Sequence, residues 1–271
     1  MIQNKHIKSF IVPDGSHYIA ICQDTDPKEI SANIQTLKTD ITSHPKTRIV
    51  WDNSDLDEQI LDSLQKLISQ LEEDRNIKKY QTNFFKVEIP EIPSLLLSQP
   101  ILDWQTYQNQ FSWRRFNPKN SDDIEVLKDF MLSSFGVDFK KTESGLVESV
   151  PNPAKQEKIQ QNLTKSYTDN QNQIYLIFSK DGQAVGAFSL TDVCGDIQLN
   201  SVAGMSSQKT DLKVKKLPLI LACVFDVVRS SQEFDTPQKL TFSNSKDKVS
   251  AIYSSFGISQ NSERKGLFVQ K

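Results

Sequence analysis

Ile30, Ile34, Leu37 and Ile41 recur at three- and four-residue intervals, as do Leu56, Ile60, Leu61, Leu64, Leu67, Ile68 and Leu71. That spacing lines apolar side chains along one stripe and predicts two amphipathic helices. Asp24-Thr25-Asp26-Pro27 precedes the first helix with a capping oxygen and a proline suited to a first helical turn. Asp52–Asp55 caps the second. Shorter apolar runs at Phe10–Val12, His17–Cys22, Arg48–Trp51 and Phe84–Ile89 read as strands. Pro13-Asp14-Gly15-Ser16 separates the first two runs and reads as a turn, because proline presets φ and glycine accepts positive φ.

The pattern breaks between Pro90 and Gln110. Pro90, Pro93 and Pro100 resist regular structure there, while Leu95–Leu97 and Trp104 supply apolar side chains that pack on a neighbouring domain. The chain therefore divides into an N-terminal α/β domain over 1–92, a connector over 93–110 and a C-terminal domain over 111–271.

In the C-terminal part, Phe111–Phe116 is a short strand. Asn120-Ser121-Asp122-Asp123 then caps a helix with Ile124, Leu127, Phe130, Met131 and Phe135 on one face, and Gly136 at its end. Phe139–Pro153 reads as a loop and Ala154–Tyr167 as a weakly apolar helix. Ile174–Phe178 and Ala184–Leu190 form a hairpin across Ser179-Lys180-Asp181-Gly182, since Asp-Gly between alternating strands favours a tight turn. Ile197–Ala203 is a third strand. The nearly continuous apolar run Leu217–Val228 predicts a helix buried on most sides. Strand Lys239–Phe242, helix Ser245–Phe256 and a final strand at Phe268-Val269 complete the reading.

Composition narrows the function classes. The 271 residues are 37% hydrophobic with 15 Phe, enough to build a core. A net charge of −2 gives no global basic field, so no nucleic-acid partner is expected. No run approaches the roughly 18 apolar residues a membrane span requires, and no secretory leader is apparent. Cys22, Cys194 and Cys223 form no CxxC pair or disulfide framework, which points to a reducing cytoplasm. His6, His17 and His44 lack ligand spacing, so no metal site is expected.

The C-terminal order strand–helix–helix–hairpin–strand–loop–helix–strand–helix–strand resembles the GNAT superfamily of acyl-CoA N-acyltransferases. Three segments carry the resemblance: Trp113–Phe116 with Ser121–Ile124, Ile174–Leu190 with Val185-Gly186, and Ala251–Ile258 with its Tyr253 and Gly257. It implies an α/β (α+β) fold with a mixed, mostly antiparallel sheet flanked by helices, behind a smaller α/β domain. His17–Cys22, Arg48–Trp51 and Phe84–Ile89, with helices between them, reproduce the order of half such a domain, as a degenerate GNAT-like half.

The resemblance also implies a chemistry. An acyl group, most simply acetyl from acetyl-CoA, would move to the amine of a small molecule or peptide. Asn200, Ser201 and Val202 are the candidates for the cofactor-facing backbone, and Tyr253 for the acid that protonates the leaving thiolate. The family's glycine-bearing pyrophosphate loop is replaced by Gln208–Lys216, which has no glycine but carries Lys209, Lys213, Lys215 and Lys216. Those lysines would supply charge in place of close amide contacts. The alternative is a catalytically silent GNAT-like module that binds a ligand or a protein. Trp104, Trp113 and Arg114 are candidates to line an acceptor pocket at the domain junction, and Asp192 and Asp196 are candidate bases, although both flank Gly195 as turn-forming aspartates do.

Overall fold

The computed structural model describes residues 7–22, 28, 38–39, 41, 43–44, 46–52, 56–73, 78–92, 109–142, 147–168, 172–204, 216–230, 239–244 and 247–270. In chain order the first half holds β1 (Ile7–Ile11), β2 (His17–Ile21), β3 (Lys46–Asp52), α1 (Glu58–Glu73), β4 (Lys78–Gln81) and β5 (Asn83–Glu88). The second half begins with β6 (Phe111–Arg115), α2 (Ser121–Phe135), β7 (Val137–Lys141), β8 (Val147–Pro151) and α3 (Pro153–Thr168). It continues with β9 (Gln173–Ser179), β10 (Ala184–Val193), β11 (Asp196–Gly204), α4 (Lys216–Ser230) and β12 (Lys239–Asn244). The last elements are α5 (Asp247–Ser255), β13 (Ser259–Gln260) and β14 (Arg264–Gln270).

Two mixed sheets carry the architecture. The larger runs β13-β5-β12-β11-β10-β9-β6 and the smaller runs β1-β2-β3-β14-β4. All neighbours are antiparallel except β11–β12 and β2–β3, which are parallel. The halves exchange strands. β5 leaves the first half to pair with β12 from Lys239↔Glu88 to Asn244↔Asn83, while β14 returns to pair with β3 from Arg264↔Asp52 to Gln270↔Lys46. The proline-rich connector separates stretches of sequence, and each sheet contains strands from both sides of it. Gly266 makes the exchange sterically possible: a Cβ there would lie 2.7 Å from the Phe84 ring and 3.0 Å from the Ile49 carbonyl.

Each sheet face is covered where its strands are apolar. The helix expected from the run Leu217–Val228 is α4, whose residues Leu219–Phe225 are all buried; with α5 it closes one face of the larger sheet over Phe188, Leu190, Leu240 and Phe242. α2 and α3 close the other face, setting Leu127, Phe130, Met131, Ile159 and Leu163 against Ile174, Leu176 and Ala187. Asn120 caps α2 as its sequence predicts, accepting from the Asp122 amide at 2.9 Å. The heptad-like stripe of α1 (Ile60, Leu64, Leu67, Leu71) packs on Ile19, Ile49 and Val269 of the smaller sheet. Phe10, Tyr18, Val50, Phe84 and Val193 form the core between the halves. The helix predicted around Ile30–Ile41 lies almost wholly outside the described residues; Ile41 itself is buried with the α1 core.

Two expectations are corrected. Phe139–Pro153 is not a loop through most of its length: β7 and β8 pair antiparallel from Val137↔Pro151 to Lys141↔Val147. Its short segments carry one or two apolar residues each, too few to register as strands, and Phe139 is 68% exposed. The second concerns cysteine. Cys22, just after β2, and Cys194, in the β10–β11 turn, form a disulfide across 172 residues with Cα atoms 5.2 Å apart. Their separation in sequence hid the pairing. Disulfides persist mainly in oxidising compartments, so the cysteine argument for a reducing cytoplasm does not stand. No helix among the described residues is long and apolar enough to cross a membrane.

Candidate functional site

The parallel neighbours β11 and β12 pair at Ile197↔Leu240, Gln198↔Thr241 and Leu199↔Phe242, and there the ladder stops. Both strands continue, β11 to Gly204 and β12 to Asn244, so they diverge. The cause is local. Leu199 faces Leu190 on β10 and Ser201 faces Ser189, which leaves Asn200 as an extra residue in β11. An extra residue bends a strand and sharpens its twist.

A buried polar network holds the strands together just below the divergence. The Thr241 hydroxyl lies 2.8 Å from Gln198 Oε1 and 3.1 Å from the Ile197 carbonyl. Arg264 of β14 donates to Thr241 Oγ1 at 3.1 Å and to Asp196 at 3.0 Å, and Gln198 donates to the Leu199 carbonyl at 3.0 Å. Gln198, Thr241 and Arg264 are all buried, so their hydrogen bonds carry full weight. The network clamps the pair up to Leu199 and leaves the far ends free.

A cavity of about 350 Å³ opens at the divergence. β11 lines it with Leu199–Val202, β12 with Ser243, and the helices with Phe135, Leu217, Val249 and Tyr253. The smaller sheet and its β1–β2 turn contribute Asp14, Arg48 and Phe268. Asn200 Nδ2 donates to Thr191 Oγ1 at 2.6 Å; Thr191 donates to Asn172 Oδ1 at 3.1 Å; Asn172 Nδ2 donates to the carbonyls of Ile11 at 2.6 Å and Ser166 at 3.2 Å. This relay fixes the amide of Asn200 and turns its oxygen away from those partners. Asn200 Oδ1 and Ser201 Oγ are buried and have no hydrogen-bond partner among the described residues. Unsatisfied buried acceptors and hydroxyls cost about 1–3 kcal/mol each.

Tyr253 projects from α5 with its ring against Phe85 and Phe242, each 5.2 Å away between centroids. Burial pushes its phenol up to about 12, only partly offset by the nearby Arg48 charge. Tyr253 is therefore neutral and proton-bearing at physiological pH. Arg48 lies 3.4 Å from Asp14 Oδ2 and 3.5 Å from Ser243 Oγ, with its guanidinium over Phe268 at 5.6 Å. Asp14 is held by the Ser16 amide, at 2.9 Å, inside the turn that Gly15 closes with φ 79°.

The structure thus gathers Asn200, Ser201, Val202 and Tyr253 at one cavity. Trp113 and Arg114 stand elsewhere, on the edge strand β6, three strands from β11, where they line a separate open cavity of about 550 Å³ with Phe111 and Phe178. Trp113 donates to Asp226 at 2.8 Å, and Arg114 forms two hydrogen bonds to the buried Asp123, at 2.6 and 2.5 Å. Those partners anchor α4 and α2 to the sheet. Asp192 pairs with Lys8 and Asp196 with Arg264, each at 3.0 Å, so both aspartates hold structure. Trp104, Lys209, Lys213 and Lys215 lie outside the described residues, as does the side chain of Lys216, whose backbone opens α4. Sequence reading missed Asp14 and Arg48. The Pro-Asp-Gly turn was visible, but nothing local shows that it faces a cavity built by residues nearly 200 positions away.

No known family model matches the sequence, and no curated protein sequence matches it. Solved structures do match in shape. A tandem GNAT protein from the clavulanic acid biosynthesis pathway aligns with a TM-score of 0.50 and 8% identity, over 95% of this chain and 75% of that one. A GCN5-related N-acetyltransferase from Kribbella flavida aligns with a TM-score of 0.47 and 12% identity, over 96% and 82% of the two chains. The first carries the fold assignment, together with the diverging parallel pair and the antiparallel strands around it: the chain has a GNAT-like fold, mixed and mostly antiparallel, flanked by helices.

Proposed function

We propose that the protein moves an acyl group, most simply acetyl, from acyl-CoA to the amine of a small molecule or peptide. The observation that carries this reading is the gap past Leu199, where β11 keeps β10 as neighbour but no longer pairs with β12. A pantetheine arm is extended, amide-rich and narrow. It matches a cleft that offers main-chain groups of Asn200–Val202 on one wall. Acyl-CoA supplies an activated carbonyl.

The chain's own groups do the rest. Main-chain N–H donors on the unpaired edge of β11 favour the carbonyl oxygen as negative charge develops on it. As the new C–N bond forms and the C–S bond breaks, the Tyr253 O–H donates a hydrogen bond to the departing sulfur. Its raised pKa makes complete transfer uphill, so the phenol acts mainly by hydrogen bonding while the thiolate leaves. The amine proton passes to solvent or to Asp14, the carboxylate lining the cavity. Holding both substrates in one cleft supplies much of the acceleration. Isothermal calorimetry with acetyl-CoA tests the reading: saturable binding below millimolar concentration supports it, and no binding at millimolar acetyl-CoA overturns it. The glycine-free stretch Gln208–Lys216 favours the alternative, a silent ligand-binding module, which predicts binding without turnover of any amine.

A further inference from the structure

A second, smaller pocket of about 180 Å³ adjoins the cavity and shares Asp14 and Phe135 with it. Lys46 of β3 and Lys155 and Lys158 of α3 wall it, with Asn162 alongside. The three ammonium groups are poorly balanced. Lys155 is paired with Asp138 at 2.7 Å, and Asp14 is engaged by Arg48. No carboxylate lies within ion-pair distance of Lys46 or Lys158 among the described residues. Lys46 is also partly withdrawn from water, and its pKa is lowered, first by that burial; the Asp14 carboxylate opposes the shift, and the charges of Lys155, Arg48 and Lys158 add to it. Bringing like charges together around a concavity is unfavourable unless an anion completes the site.

We propose that this pocket binds an oxyanion, a carboxylate or a phosphate group, on the acceptor molecule. On the transferase reading above, the acceptor is then an anionic amine. Its charged end sits among Lys46, Lys155 and Lys158, and its amino group reaches past Asp14 to the gap beside Asn200. Lysines act as compact point charges without the planar fork of arginine, so they select charge rather than one oxyanion geometry. The smaller half contributes to recognition through Lys46, Asp14 and Arg48, all placed by β3 and the turn before β2.

The test uses the full chain and two probes, inorganic phosphate and succinate, titrated by calorimetry at constant ionic strength. Wild-type protein should bind at least one of them saturably in the millimolar range, and the tighter probe names the oxyanion. The double variant Lys46→Met with Lys158→Ala should weaken that binding at least tenfold while leaving the acetyl-CoA dissociation constant within twofold. Lys158→Ala alone changes an exposed side chain and should weaken it about threefold, which keeps the test open if the double variant fails to fold. Absence of probe binding to wild type, or equal binding by the variants, overturns the proposal. A parallel loss of acetyl-CoA affinity also overturns it, by assigning the lysines to the phosphates of CoA. Probe binding without any acetyl-CoA binding would leave the pocket standing and remove the transferase reading.

Discussion

The two halves of the molecule contain the same pair of parallel strands in two states. In the larger sheet β11 and β12 pair for three residues and then separate. In the smaller sheet β2 stays paired with β3 along its whole length, from His17↔Thr47 to Ile21↔Trp51. The antiparallel neighbour differs in the same sense. β1–β2 runs in unbroken register, whereas β10–β11 slips at Asn200. The closed pair sets Ile19, Ile21 and Ile49 in the core under α1. The open pair carries Asn200 and Ser201 at the slip. The topology permits a cleft in both halves, but a single extra residue opens it in one. The smaller half instead turns its outer surface, through Asp14, Arg48 and Phe268, into the opposite wall of that cleft.

The clamp below the opening gives the largest expected effect. Arg264→Met would leave Asp196 without its partner at a mostly buried site and release β14 from Thr241. Losing one member of a buried pair costs about 3–5 kcal/mol, to be read from denaturant unfolding. The exposed pair Lys8–Asp192 is the internal control, and Lys8→Ala should cost below about 1 kcal/mol. Equal losses would mean that the clamp is ornamental.

Tyr253→Phe should lower kcat about 100-fold or more in acetyl transfer, the range for loss of one positioned hydrogen-bond donor to developing negative charge, with the acetyl-CoA affinity little changed. Unchanged turnover would remove the phenol from the chemistry and leave its ring as packing against Phe85 and Phe242. Gly266→Ala should destabilise the strand exchange by about 1–3 kcal/mol, because the new methyl meets the buried Phe84 ring.

Proton linkage probes the closed half. His17 is buried, bonded through Nε2 to Ser9 at 2.7 Å and stacked on His44, with ring centroids 4.1 Å apart. Burial, aided by the His44 charge, lowers its pKa to about 3. The unfolded chain therefore binds the extra proton first, and the contribution of neutral His17 is full above about pH 6.5 and lost as pH falls toward 3. The slope is at most about 1.4 kcal/mol per pH unit for one group. A His17→Gln variant should flatten the stability profile in that window; an identical profile would refute the assignment.

Much of the larger half was legible along the chain. The Asp181-Gly182 turn fixed a hairpin, the Asn120 cap placed α2, and the unbroken apolar run at 217–228 marked α4, because each signal lies within a dozen residues of what it specifies. Tyr253 and Asn200–Val202 were named through family resemblance, and they do share one cavity. What escaped was non-local. The bulge at Asn200 depends on a register set by β10, the reciprocal exchange of β5 and β14 leaves no trace in periodicity, and Cys22 meets Cys194 only through the tertiary fold. Trp113 and Arg114 do line a cavity, but at the β6 edge rather than beside Asn200, and Asp226 and Asp123 occupy their polar groups.

The most direct test deletes Asn200. Without the extra residue β11 can match β10 as β2 matches β1, and the gap beside β12 should close. Acetyl-CoA titrated into wild-type protein should shift the amide resonances of Asn200–Val202 saturably, and the deletion variant, folded by circular dichroism, should bind at least 100-fold more weakly. Equal affinity in the two proteins, or shifts that spare those three amides, would contradict the account.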